Sequence, residues 1–97
     1  MKTFRTYQLA IDFYKSCQTL KLKGAAADQF ERAVLSIPLN LSEGAAKPTS
    51  RDRKKFYYIA LGSLREVQTL LELFGTKELQ SQADILGAHL YRLATRA

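Results

Sequence analysis

The chain has 97 residues, which is enough for one domain and too few for two, and 46% hydrophobic content supports a buried core and excludes a disordered chain. One cysteine excludes an internal disulfide and is consistent with a reducing compartment. Of the net charge of +6, most comes from residues 47–55, KPTSRDRKK, which attract polyanions. With no signal-peptide-like run and no stretch of about 18 apolar residues, we expect a cytoplasmic domain over 1–97 without membrane contact.

Two helices are predicted in the first half of the chain from apolar residues at helical spacing. The first covers residues 4–22, and Gly24 is placed to end it in a left-handed conformation. The second covers residues 26–45, with Gly44 near its end, and its apolar stripe continues past Pro38. We therefore predict a helix that bends at the proline and does not terminate there. The two stripes are Ala10, Phe13, Cys17, Leu20 and Phe30, Val34, Ile37, Leu41.

Two further helices are predicted in the second half. The third covers residues 50–74, with Thr49 as its cap, Asp52 as the acid of an approximate capping box, and Gly75 at its end. Its apolar residues keep a heptad spacing over more than two repeats. The fourth covers residues 77–95, with Thr76 as a possible cap. The seams are Phe56, Ala60, Ser63, Val67, Leu70, Phe74 and Leu79, Ala83, Leu86, Leu90, Leu93.

Short connections make successive helices antiparallel, so the fold class is all-α, an up-down-up-down antiparallel four-helix bundle. The third helix carries apolar residues around much of its circumference, which is typical of a helix at an interface. We therefore expect a homo-oligomer, and the alternative is a broad core stripe in a monomer. The residues assigned to the interface are Ile59, Leu61, Leu64 and Leu71.

Catalytic and metal-binding patterns are absent from the sequence. The only histidine, His89, and the only cysteine, Cys17, lie on different predicted helices, without an orienting group or an oxyanion site. No Glu-x-x-His pair and no phosphate-binding glycine loop occurs. We expect a protein that is not an enzyme, binds no cofactor or metal, and uses Cys17 as a small buried hydrophobe.

Polar residues inside the second and third helices predict a buried network. Asn40 and Glu43 lie one turn apart, as do Ser63 and Glu66, and Gly62 would let the two helices approach closely. A network of hydrogen bonds here would fix the register of the helices. The alternative is that Asn40 and Glu43 belong to a ligand or RNA surface.

The basic residues of the 47–55 segment predict a phosphate-binding ridge at the start of the third helix. The alternative is a solvated helix start that keeps the protein in solution. Tyr57 and Tyr58 could stack on bases, although aromatics at helical spacing more often belong to a core or an interface, which we favour. The candidate nucleic-acid-binding residues are Lys47, Arg51, Arg53, Lys54 and Lys55.

Two colinear motifs carry a family resemblance: QFERAVLSIPLNLSEG at residues 29–44 and FYYIALGSLREVQTLLEL at residues 56–73. They resemble the 23S rRNA intervening-sequence proteins, which follow R-x-A-x-S-I-P-x-N-I-A-E-G and then A-x-G-S-L-x-E. The resemblance implies an up-and-down bundle that assembles into a homopentamer. A related branch comprises accessory proteins of diversity-generating retroelements, which partner a reverse transcriptase and its RNA.

Together these features predict a small homo-oligomeric scaffold that binds RNA or DNA through residues 47–55. An array of lysines and arginines repeated around a ring would amplify a weak contact at each site. The alternative is a protein-interaction adaptor for a partner enzyme such as a reverse transcriptase.

Overall fold

The computed structural model describes residues 2–96 and contains four α-helices within that range. They are α1 (Lys2–Cys17), α2 (Gly24–Ala45), α3 (Ser50–Phe74) and α4 (Lys77–Arg96). No strand occurs between residues 2 and 96. The predicted all-α class and the four-helix count are confirmed.

Consecutive helices run antiparallel. Along each pair of neighbouring helices, higher residue numbers on one helix contact lower residue numbers on the next. The hydrogen-bonded pairs are Gln29–Glu66 and Ser36–Ser63 for α2–α3, and Gln68–Asp84 and Gln80–Leu71 for α3–α4. For α1–α2, Tyr14 bonds Glu31, while Phe4 lines one pocket with Leu41. The first helix packs against α2 and α4, and α3 packs against the same two helices. The four helices therefore form an up-down-up-down bundle around one core.

The core is built mainly from the predicted apolar stripes of α1, α2 and α4. On α3 the predicted seam is wrong, because of its six residues only Ala60 and Val67 belong to the core and Phe74 is 51% exposed. The core uses the neighbouring stripe of α3, which contains Tyr57.

The core also takes up three of the four residues that the sequence assigned to an oligomer interface: Leu61, Leu64 and Leu71 are buried within this chain's own bundle. Their stripe faces α2 and α4, so they are not available to a second copy, which corrects that assignment. Of the four, only Ile59 lies on the outer surface, with 44% of its side chain exposed.

The second helix continues through Pro38, as predicted from its stripe. The proline is buried, and helical structure is unbroken from Gly24 to Ala45. A proline in a helix interior removes one backbone N–H, here the one that would bond the carbonyl of Val34. Burial of Ile37 and Leu41 on either side keeps the helix together despite that loss.

The first helix ends earlier than predicted, at Cys17 instead of residue 22. The backbone N–H groups of Gln18 and Thr19 bond carbonyls three residues back, which tightens the chain and terminates the helix. The Thr19 hydroxyl also donates to the carbonyl of Ser16 at 2.8 Å. Such side-chain hydrogen bonds offer the backbone an alternative to further helix. Gly24 does take a left-handed conformation, with φ of 61°, but it opens α2 and does not close α1.

Both predicted caps are present. The Thr49 hydroxyl accepts the backbone N–H of Asp52 at 3.2 Å, and the Thr76 hydroxyl accepts that of Leu79 at 3.2 Å. Gly75 follows α3 directly, and its N–H donates to the carbonyl of Leu71. These local signals explain why the bounds of α3 agree with the sequence prediction.

The close approach of α2 and α3 depends on Gly44, whereas the sequence assigned it to Gly62. A Cβ on Gly44 would lie 2.7 Å from the Tyr57 ring and 3.1 Å from Cβ of Phe56. Gly62 faces solvent, and a Cβ there would meet nothing within 4 Å. The interpretation of Gly62 as a packing step is therefore wrong, and Gly44 is a packing residue inside α2 and not only a stop signal.

We expect the Cys17 thiol to be unreactive in the folded chain. The side chain is 2% exposed, and burial, followed by the charge of Glu31, raises its pKa to about 12. At about pH 8 the thiolate, which is the reactive form, is then roughly three orders of magnitude rarer than in the unfolded chain. Alkylation by iodoacetamide, followed by mass spectrometry, should be slow until urea unfolds the protein. Equal rates in the two states would contradict the burial.

The same pKa shift predicts that stability falls as the pH rises above about 9, because the unfolded chain then releases a proton that the folded chain retains.

Candidate nucleic-acid interface

The basic segment lies where α2 gives way to α3. Lys47 and Pro48 form the connection, and Thr49 caps α3 in an extended conformation. Pro48 cannot continue a helix beyond Ala45, and the Thr49 cap starts the next one immediately. The four cations between 51 and 55 are thereby placed in the first two turns of α3.

Two of the lysines lie over the aromatic ring of Phe56. The Lys47 ammonium lies 5.1 Å from the centre of its ring and the Lys55 ammonium 5.9 Å. Each such contact contributes about 0.5–1 kcal/mol at an exposed site. The ring thus holds one lysine from the connection and one from α3 at the same place on the surface.

Two of the five predicted cations form an ion pair or a hydrogen bond within the chain. Lys47 Nζ lies 3.1 Å from Oε2 of Glu43, one turn earlier. Arg53 is half-buried and donates through Nη1 to the backbone carbonyl of Lys47 at 3.2 Å, which ties the start of α3 to the connection before it. These two residues therefore stabilise the local structure, in addition to any contact that they make with a ligand.

The remaining three, Arg51, Lys54 and Lys55, form no ion pair with any carboxylate in residues 2–96. Arg51 and Lys55 are exposed and Lys54 is half-buried. They lie at the N-terminus of a 25-residue helix, where the backbone dipole is itself positive. The only acid of residues 47–55, Asp52, follows the cap in the first turn of α3. The result is a concentrated positive potential at one end of the bundle.

The two neighbouring tyrosines occupy different environments. Tyr57 is a core residue, 1% exposed, in agreement with the favoured prediction. Tyr58 is 49% exposed and follows Lys54 by four residues and Lys55 by three. Residues at these spacings are neighbours on a helix surface, so Tyr58 lies beside the basic ridge.

The predicted polar network is present only in part, and with a different centre. The hydroxyls of Ser36 and Ser63 share a hydrogen bond of 2.8 Å, and the Asn40 amide donates to both the hydroxyl and the carbonyl of Ser36 at 2.9 Å. Glu43 is outside this network, since it is exposed and pairs with Lys47. Glu66 is outside it too.

Glu66 accepts a hydrogen bond from Gln29. This contact lies three residues after Ser63 on α3 and seven residues before Ser36 on α2. The sequence prediction missed Ser36 as the residue that joins the two helices. The signal was available, because Arg32, Ser36 and Asn40 recur every four residues and so share one stripe of α2. That stripe continues through Glu43 to Lys47 at spacings of three and four, and it leads along the outside of the α2–α3 contact to the basic segment.

We expect Asn40→Ala to lower the free energy of unfolding by about 1 kcal/mol, since it removes two half-buried hydrogen bonds. Glu43→Ala should change it by less than about 0.5 kcal/mol, because an exposed i,i+4 ion pair contributes little. Urea unfolding of the two variants gives the comparison. A larger loss for Glu43→Ala would place that carboxylate in the network after all.

Comparison with known families gives one match. A family model described as 23S rRNA-intervening sequence protein matches residues 3–92, which is nearly the whole chain. The chain belongs to this family. No match to a curated protein was found.

The family resemblance noted in the sequence is thus confirmed, and the structure gives its motif residues physical roles. In this 23S rRNA-intervening sequence protein, Ser36 joins α2 to α3 through Ser63, and Asn40 holds Ser36 from within α2. The absence of a side chain at Gly44 leaves room for the Tyr57 ring. Within residues 2–96 no cluster of three or more His, Cys, Asp or Glu could hold a metal ion. None of the helices described has the length and apolar character needed to cross a membrane.

Proposed function

We propose that this 23S rRNA-intervening sequence protein is a non-enzymatic homo-oligomeric scaffold that binds RNA through the start of α3. The observation that carries the proposal is the group of three cations, Arg51, Lys54 and Lys55, without carboxylate partners at the positive end of the longest helix. Lys47 and Arg53 flank the group and would add to its potential. The lysines and arginines neutralise phosphates in a sequence-independent way.

The placement of these cations supports a role in binding because it costs stability. A positive charge near a helix N-terminus is unfavourable by about 0.3–1 kcal/mol at low ionic strength. The reverse arrangement, acids at the start of a helix, would stabilise the fold. Arg51 lies in the first turn, where this cost applies, and its repulsion of Lys54 and Lys55, three and four residues further on, adds about 0.2–0.5 kcal/mol for each pair. An anionic partner would relieve both costs.

Tyr58 favours a single-stranded nucleic acid among polyanions. Its ring is half-exposed next to the ridge, and stacking of a base on an aromatic side chain contributes about 1–3 kcal/mol. A backbone phosphate on Lys55 would bring the attached base within reach of that ring. DNA would bind through the same phosphate contacts.

The test is fluorescence anisotropy with a labelled single-stranded RNA over a range of salt concentrations. We expect binding that weakens as salt increases, with a logarithmic slope of about −0.7 for each phosphate contact. Absence of binding at low salt, or affinity that ignores salt, would overturn the RNA proposal.

The proposed oligomer uses the outer face of the α2–α3 pair. Leu39 follows Ser36 by three residues and Ile59 precedes Ser63 by four, so in an antiparallel pair both lie at the same level of the bundle. Their side chains are 59% and 44% exposed. Two exposed aliphatic side chains at one level of the bundle offer a second copy an apolar contact. A partner enzyme such as a reverse transcriptase could use the same face, which is the alternative function.

Ile59→Asp should break the oligomer by burying a charge at its contact, while the bundle itself stays folded because Ile59 is on its surface. Light scattering at micromolar concentration would give the mass, with 11.0 kDa for the single chain, and circular dichroism would check the fold. A parent chain that is already monomeric would instead favour the adaptor function.

A further inference from the structure

A pocket of about 520 Å³ opens between the start of α1, the end of α2 and the start of α3. Its walls are mostly apolar and include Phe4, Tyr7, Leu41 and Tyr57. Sites for small molecules in proteins have this size and character, with a few polar groups that orient the ligand. Of the candidate nucleic-acid-binding residues only Arg53 lines the pocket, and the three cations that carry the RNA proposal do not.

Arg53 is the one charged residue among those that line the pocket. Its Nη1 is held by the carbonyl of Lys47 at 3.2 Å, which fixes the guanidinium in place. A guanidinium has five N–H donors, so others remain for a ligand. No carboxylate within residues 2–96 pairs with Arg53. A fixed guanidinium at the edge of an apolar pocket suits a planar anion.

Tyr57 supplies a second, independent indication of a ligand. The residue is 1% exposed, and its hydroxyl has no hydrogen-bond partner among the described residues. No fully buried polar side-chain atom there lacks a partner, so the hydroxyl must be the part of Tyr57 that reaches the pocket. The close fit of its ring against Gly44 keeps it there. A hydroxyl that opens to the pocket without a protein partner is available to donate to a ligand.

We propose that this pocket binds a small carboxylic acid with an aliphatic or aromatic body. The carboxylate would accept hydrogen bonds from the Arg53 guanidinium and the Tyr57 hydroxyl, and the body would lie against Phe4, Tyr7 and Leu41. A neutral or cationic molecule of the same shape would leave the guanidinium without its counter-ion. The site would thus select for the acid by charge and for its body by apolar contact.

Calorimetry with 4-phenylbutyrate and its neutral amide, 4-phenylbutanamide, tests the proposal. We expect the acid to bind at least about tenfold more tightly than the amide, since one ion pair in a partly buried site provides that difference. Equal affinities, or no binding of the acid, would overturn the proposal.

Two variants separate the roles. Arg53→Gln should reduce affinity for the acid to that for the amide, and unchanged amide binding would show that the pocket is intact. Tyr57→Phe keeps the ring and should lower the affinity for the acid several-fold, without changing the affinity for the amide. Arg92→Gln removes one exposed charge from α4 and is the matched control, which should leave the affinity for the acid unchanged. If Arg53→Gln binds the acid as the parent does, or if Arg92→Gln weakens it equally, the assignment is wrong.

Discussion

Gly44→Ala lowers the free energy of unfolding by about 1–2 kcal/mol, even though alanine is the better helix former. The added Cβ would lie 2.7 Å from the ring of Tyr57, a distance at which one of the two groups must move. Tyr57 is 1% exposed and packs in the core, so its ring could move only toward the pocket that it lines, at the cost of its core contacts. Overpacking of this kind costs about 1–3 kcal/mol or more, which outweighs a gain of about 1 kcal/mol in helix propensity.

Gly62→Ala is the matched control, because it makes the same change in the interior of the adjacent helix. No atom lies within 4 Å of the new Cβ, so only the gain in helix propensity remains, and the free energy of unfolding should rise by about 0.5–1 kcal/mol. The two variants should melt about 10 °C apart for a domain of this size. Thermal unfolding followed by circular dichroism measures the difference. Equal melting temperatures would mean that α2 and α3 do not approach closely at Gly44.

The triple variant Arg51→Gln, Lys54→Gln and Lys55→Gln should lose about a hundredfold in RNA affinity at about 0.1 M salt. The estimate takes one phosphate contact for each cation and the counterions that each contact releases. The slope of affinity against salt should become less negative by about 2. Stability should stay nearly unchanged, because the loss of the Lys55 contact with Phe56 is offset by the removal of mutually repelling cations at the start of α3, and glutamine keeps a good helix propensity.

The combination of lost binding and nearly unchanged stability is what distinguishes a binding surface from a structural one. A second triple variant, Lys15→Gln, Lys21→Gln and Arg92→Gln, removes the same net charge from exposed positions elsewhere in the chain. It should retain most of the RNA affinity. Equal losses in the two triple variants would mean that RNA responds to net charge alone, and full retention in the first would remove the ridge from the proposed site.

Local signals in the sequence predicted most of the helical bounds. The Thr49 and Thr76 caps and Gly75 are short-range features, since a hydroxyl reaches a backbone N–H only three residues away. The apolar spacing likewise predicted that α2 passes through Pro38. The end of α1 was missed because the hydrogen bonds at Thr19 compete with helix in a way that an apolar stripe does not reveal.

Tertiary structure decided which polar residues of the α2–α3 pair meet. Spacing placed Asn40 and Glu43 on neighbouring parts of α2, but a rotation of the helix decides which of them faces α3. Ser36 meets Ser63, while Glu43 turns outward to Lys47. In the same way, an apolar residue such as Leu64 fits a core or an interface equally well until the neighbouring helices are in place.

By itself, the sequence determined that this chain is a four-helix member of its family with a basic segment between the second and third helices. Periodicity, caps and motif order depend on residues near one another along the chain, so these features can be recognised without a structure. The tertiary structure decided that Gly44 and not Gly62 carries the close packing, that Leu61, Leu64 and Leu71 are core residues, and that Arg53 and Tyr57 line one pocket. Those facts depend on distances between helices, which only packing sets.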